Sequence, residues 1–233
     1  IVLLNLSLNA IDSVPKDIQC MTSLERLMLS GNRLVFIAPH IGRCLKLTHV
    51  SIRDNPNLQT IPLEFGRCSN IQALSMSSSL KIPQFCVCST RGGVLFQPYM
   101  ANALSARSSK SLNLECLEIE SFTHELFSYS YPAQSFFHDA LNEGTLVKMN
   151  LSRNKITSVP DEILLFLNLK NLNLGHNQIC NISSNLQSLS QLTELNVQNN
   201  HIHKFAADMF KNWTQLTSLN FSSNRLSRFP DFL

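Results

Sequence analysis

One spacing recurs along this chain and constrains the fold more than any other feature. Apolar residues fall at the first, fourth, sixth and eleventh positions of a unit, with Asn at the ninth. The first copy reads Ile1, Leu4, Leu6, Asn9, Ile11. Leu24, Leu27, Leu29, Asn32, Leu34 follow, then Leu47, Val50, Ile52, Asn55, with Leu58 one position late. After a gap the pattern resumes as Leu146, Met149, Leu151, Asn154, Ile156, and continues as Leu169, Leu172, Leu174, Asn177, Ile179. Leu192, Leu195, Val197, Asn200, Ile202 and Leu216, Leu219, Phe221, Asn224, Leu226 complete it. Two weaker copies lie between the blocks: Ile71, Leu74, Met76 with Ser79, and Leu114, Leu117, Ile119 with Phe122. A short self-similar unit of this kind cannot bury its own apolar face, so neighbouring copies must stack.

Physical chemistry assigns a role to each slot. Apolar residues alternate around the fourth and sixth positions, which is the period of a half-buried strand. The Asn can both donate to and accept from backbone groups of adjacent turns, so Asn9, Asn32, Asn55, Asn154, Asn177, Asn200 and Asn224 are expected to form a ladder satisfying buried backbone. Past the Asn, copies close on an apolar residue and Pro, as in Val14-Pro15, Ile61-Pro62, Val159-Pro160 and Phe229-Pro230. Apolar residues three apart follow, such as Ile41, Cys44, Leu47 or Ile163, Phe166, Leu169, which suits one helical or 3₁₀ turn.

These motifs resemble the leucine-rich repeat family, mostly its 23-residue intracellular-type unit; the copy around Phe210 and Trp213 is more similar to a 24-residue unit common in extracellular receptors. The resemblance implies an α/β fold: a curved horseshoe solenoid with a parallel sheet on its concave side and short helical or irregular convex segments. It further implies a non-enzymatic module that binds another protein through the outward strand residues. Those selected are Arg26, Met28, His49, Arg53, Glu118, Glu120, Lys148, Asn150, Asn173, Glu194, Asn196 and Asn220. Charges of both signs stand there against a neutral Asn/Ser background.

The array reads as one domain over residues 1–233: regular repeats 1–79, an irregular insertion 80–113, a degenerate repeat 114–145, and regular repeats 146–233. Within the insertion, Gly92-Gly93 followed by Val94-Leu95-Phe96 reads as a turn and strand, and the small, polar, basic stretch Ala101 to Lys110 as a mobile loop. Further on, Phe136, Phe137, Ala140 and Leu141 have helical spacing behind Ser135. Ile1 stands at a strand and Leu233 just past Phe229-Pro230, whereas arrays need polar caps, so the parent chain is expected to continue at both ends.

Composition narrows the function. Charged residues make up 15% and the net charge is +3, too little for a nucleic-acid binder. No apolar run approaches the ~18–20 residues of a membrane helix. The seven cysteines do not cluster as caps; Cys44 and Cys68 occupy a convex core slot and Cys20 stands one residue from it. All seven are expected to be free thiols, which favours a reducing, cytoplasmic setting. Five Asn-x-Ser/Thr sequons, at Asn5, Asn150, Asn181, Asn212 and Asn220, are about as many as this composition yields by chance.

Chemistry is not signalled. Cys86-x-Cys88 with Cys116, His124 or His138 matches no standard zinc spacing, and His176, His201 and His203 read as solvated loop residues. There is no Gly-rich phosphate loop, nucleophile elbow or His-Glu-x-x-His. No cofactor or metal is expected. The chain reads as part of a larger intracellular signalling or scaffold protein, with a receptor ectodomain, or the recognition arm of a kinase, phosphatase or ubiquitin ligase, as the alternatives.

Overall fold

The computed structural model describes residues 1–58, 61–76, 96–120, 146–159, 161–204 and 212–227. The chain forms two compact units, Ile1–Leu104 and Ser105–Leu233. The expected turn and strand at 92–95, the helix at 135–141, and Cys86, Cys88, His124 and His138 lie outside the described residues.

In the first unit, β1 (Leu3–Asn5), β3 (Arg26–Met28), β5 (His49–Ser51) and β6 (Ala73–Ser75) form a four-stranded parallel sheet in that order. Leu4, Leu27, Val50 and Leu74 stand side by side, so the fourth slot of each copy is in register with the next. The period of 23 residues is one circuit of the chain, long enough for the crossover that parallel pairing requires. β2 (Ser13–Val14) and β4 (Phe36–Ile37) make a second, two-stranded parallel pairing where each copy turns. Single 3₁₀ turns at Lys16–Cys20, Pro39–Arg43 and Leu63–Arg67 close the circuits. The four apolar slots face inward: Leu24, Leu27, Leu29 and Leu34 are all essentially inaccessible.

The second unit repeats this plan. Its five-stranded parallel sheet has the order β11-β10-β9-β8-β7: β7 is Ser111–Asn113, β8 Lys148–Asn150, β9 Asn171–Asn173, β10 Glu194–Asn196 and β11 Ser218–Asn220. Convex turns lie at Asp161–Phe166 and Ser184–Ser188.

The ladder has a fixed wiring. The Nδ2 of Asn32, Asn55, Asn154, Asn177, Asn200 and Asn224 donates to the sixth-slot carbonyl of its own copy and of the preceding copy, at 2.8–3.0 Å. The Oδ1 accepts the eleventh-slot N–H of the preceding copy. Each Asn therefore satisfies three backbone groups that stacking would otherwise leave buried and unpaired. Asn9 binds the Leu6 and Ser7 carbonyls in its own copy. The residue before the ninth slot is left-handed in every described copy, with φ between 51° and 66° at Leu8, Gly31, Asp54, Cys116, Arg153, His176, Asn199 and Ser223.

A second repeated bond runs along the convex side. Cys44 Sγ donates to the Ile18 carbonyl at 3.2 Å, Cys68 Sγ to Ile41 at 3.6 Å and Trp213 Nε1 to Leu186 at 3.1 Å. The five described cysteines are free thiols; Cys44 and Cys68 are buried and Cys20 is exposed. Burial raises both buried thiols, and Cys68, with Cys44 nearby, is pushed up to about 12.

Two expectations are corrected here. The stretch 101–110 is no loop: α1 spans Phe96–Ser109, with Lys110 in the left-handed region just beyond it and its N–H on the Ala106 carbonyl. This also rules out a strand reaching Phe96. The helix buries Tyr99, Met100, Ala103 and Ala106. It lies so close to the convex turn that a Cβ on Gly66 would overlap Ala101 N and Met100 C, and Gln97 Nε2 donates to the Gly66 carbonyl at 2.9 Å.

The degenerate repeat starts earlier than expected. Leu112 pairs with Met149, so Leu112, Leu114 and Ile119 fill the fourth, sixth and eleventh slots and Leu117 takes the Asn position. Asn154 compensates by accepting from Leu117 N–H as well as Ile119 N–H, at 3.0 and 3.1 Å.

Candidate partner-binding face

The outward residues of β7–β11 form two rows that cross the sheet. One holds Ser111, Lys148, Asn171, Glu194 and Ser218; the other holds Asn113, Asn150, Asn173, Asn196 and Asn220. Strand alternation puts them there, because the leucine, or in β8 Met149, between each pair points into the core. All of them except Asn113 line a depression of about 410 Å³ over the sheet.

The asparagine row has one conformation throughout. Each Oδ1 accepts the backbone N–H two residues on, in Glu115, Ser152, Gly175, Gln198 and Ser222, at 3.0–3.2 Å. Asn5 does the same with Ser7 in the first unit. This is an Asx turn ending the strand, so the asparagines are partly structural. Asn150 Nδ2 also donates to Glu115 Oε2 at 3.2 Å, and Asn220 Nδ2 to Gln198 Oε1 at 3.0 Å.

Of the residues selected from the sequence, Lys148, Asn150, Asn173, Glu194, Asn196 and Asn220 share this one face. Arg26, Met28 and His49 lie on the sheet of the first unit, and the exposed Arg53 stands two residues past β5. His49 Nδ1 is 2.9 Å from Thr48 Oγ1. Glu118 and Glu120 do not belong to the strand face. They follow the left-handed Cys116 in the loop beyond β7, and Glu118 Oε2 pairs there with Lys155 Nζ at 3.7 Å. In that segment it is Glu115 that reaches the asparagine row, and it stands 3.2 Å from Arg153 Nε.

Ser111, Asn113 and Glu115 were missed. The signal for β7 is Ser111-Leu112-Asn113-Leu114, which has the form of Asn171-Leu172-Asn173-Leu174.

Among the described residues, no three His, Cys, Asp or Glu side chains are grouped to hold a metal ion, and no helix is long and apolar enough to cross a membrane. The face offers amide donors, one exposed cation and one exposed anion, which suits recognition.

The family model for leucine rich repeats matches residues 144–202 and 190–232. No curated protein matches the chain significantly. Among solved structures, internalin C2 of Listeria monocytogenes is similar at 19% identity and TM-score 0.40, over 98% of this chain and 74% of that one. A Leptospira interrogans LRR protein is similar at 20% identity and TM-score 0.36, over 96% and 79%. The BIR2 ectodomain of Arabidopsis thaliana is similar at 21% identity and TM-score 0.41, over 52% and 58%. At these values the likenesses say nothing of what this chain binds. The family match covers residues 144–232, and the repeat template and Asn wiring of the first unit follow the same plan, so the chain has the leucine-rich repeat fold.

Proposed function

We propose that this chain is a non-enzymatic protein-interaction module that binds its partner on the β7–β11 strand face, within a larger intracellular signalling or scaffold protein. The observation that carries the reading is the depression lined by Lys148, Asn150, Asn173, Glu194, Asn196 and Asn220. Its side chains are hydrogen-bonding groups with two opposed charges, which give register and orientation to a protein partner. They include no nucleophile–base pair for turnover. The buried free thiols Cys44 and Cys68 support the intracellular part, since reduced cysteines in core slots suit a reducing compartment.

The test is comparative capture. The intact chain and a Lys148→Glu/Glu194→Lys variant are immobilised, and isotope-labelled extracts are passed over both. A protein held by the first and depleted at least about tenfold on the second, a loss of about 1.4 kcal/mol, supports the reading. Proteins retained equally by both place the site elsewhere. Titration of the denatured, unreduced chain should find all seven cysteines as thiols; five or fewer would point to a disulfide and to a receptor ectodomain.

A further inference from the structure

The asparagine row fixes something that amide side chains usually leave open. An Asn carbonyl and amino group can be exchanged by a flip, but here the N–H two residues on requires an acceptor. The Oδ1 must face the backbone, and the Nδ2 must face away from it. This row therefore presents donors. Asn150 and Asn220 spend theirs on Glu115 and Gln198. Asn173 and Asn196, on adjacent strands at the centre, have no Nδ2 acceptor among the described residues. Gly175 keeps the space beside them open: a Cβ there would lie 3.2 Å from Asn173 Oδ1 and 3.5 Å from Asn196 Nδ2.

Spacing selects the occupant. Adjacent strands lie ~4.8 Å apart, so the two donors repeat at that interval across the sheet. Side chains three or four residues apart on an α-helix repeat at about 5–6 Å along its axis. Same-side residues of an extended strand repeat at about 6.6–6.8 Å, a poorer match. In the neighbouring row Lys148 and Glu194 are two strands apart, about 9.6 Å, close to the ~10.5 Å rise of seven helical residues. No outward residue of either row is aromatic, which disfavours stacked sugars or bases, and the opposed charges disfavour a polyanion.

We propose that the β7–β11 face takes a partner α-helix laid across the strands, whose polar side offers side-chain oxygens to Asn173 and Asn196, an acid to Lys148 and a base to Glu194. This rests on the strand face being the binding surface, as proposed above.

The test uses ¹⁵N-labelled intact chain and a synthetic alanine-based helix. The probe carries two Gln at i, i+4, flanked by Glu and Lys seven residues apart. The side-chain amide resonances of Asn173 and Asn196 should shift saturably as it is added. Asn173→Asp/Asn196→Asp keeps an acceptor for the i+2 N–H but removes the outward donors. It should weaken the probe at least about tenfold with little change in melting temperature. A second probe with Lys in place of the two Gln should prefer the Asp variant. Equal binding to both proteins overturns the proposal, as does equal binding by a probe broken with two prolines. A silent probe also overturns it. If comparative capture still depends on Lys148 and Glu194 in that case, only the helical class of partner is lost; if capture is also indifferent, the functional reading falls with it.

Discussion

Two kinds of asparagine stand four residues apart in the copies that carry β1 and β8–β11, and their bonds set different costs. Asn177 makes two bonds of 3.0 Å to the Leu151 and Leu174 carbonyls and accepts from Ile156 N–H, all in the buried interior. Asn177→Ala should cost roughly 1–3 kcal/mol in a denaturant melt, because buried backbone groups lose their partner. The sequence suggests that Asn173→Ala costs almost nothing. Its Asx bond to Gly175 N–H at 3.0 Å, half buried, changes this to about 0.5–1.5 kcal/mol, the ordinary worth of one hydrogen bond. Asn173→Asp should be near neutral. Equal losses at Asn177→Ala and Asn173→Asp would contradict the wiring. The thiols make a separate prediction. Cys44 and Cys68 are raised by burial from an ordinary 9.0, so unfolding makes them easier to ionise. Their contribution to stability is full below about pH 9 and falls as pH rises above it, for Cys68 through to about 12. In the native chain at pH 8, iodoacetamide should label Cys20, Cys116 and Cys180, which are exposed, and spare Cys44 and Cys68.

Elements were legible where slot chemistry is unambiguous. Strands β1, β3, β5, β6 and β8–β11 follow directly from Leu-x-Leu or its Val, Met and Phe variants, and the 3₁₀ turns from apolar residues three apart. β7 was displaced because Leu117 occupies the Asn slot, so Leu114, Leu117 and Ile119 mimic the first, fourth and sixth slots. Only pairing distinguishes the two registers: Leu112 opposite Met149 puts a leucine in the core and moves Glu118 and Glu120 off the face. Leu112→Ala should therefore cost about 2–5 kcal/mol, whereas Cys116→Ala, at an exposed position, should stay within about 0.5 kcal/mol. A loss at Leu112 no larger than that at Cys116 would restore the displaced register. α1 was hidden for a different reason. Its buried side includes Ala103 and Ala106, small residues that read as loop but permit close approach to a convex turn. Gly66→Ala should force α1 off that turn and destabilise the chain by roughly 1–3 kcal/mol, read as a lower denaturation midpoint. A wild-type midpoint would mean that the helix does not rest on Gly66.

At the scale of the whole chain, the fold needs no unusual interaction. Two units each stack the same short circuit, with burial shared between neighbours and the Asn of each regular copy satisfying its backbone groups. Surface ion pairs such as Arg153–Glu115 are exposed and add at most about 1 kcal/mol each. What the repeat leaves free to vary is the outward part of each strand, and there the second unit concentrates its amide donors, Lys148 and Glu194. The candidate face was partly legible, since six of the twelve residues selected share it. The remaining partition was not, because strand alternation identifies outward slots in both units without saying which form one depression. The central claim is that this face holds the partner. Its most direct measurement is the affinity of the captured partner for the intact chain and for Asn173→Asp/Asn196→Asp, with both melting temperatures recorded. The account predicts matched melting temperatures and an affinity loss of at least about tenfold. Undiminished affinity in a variant that melts normally would contradict it.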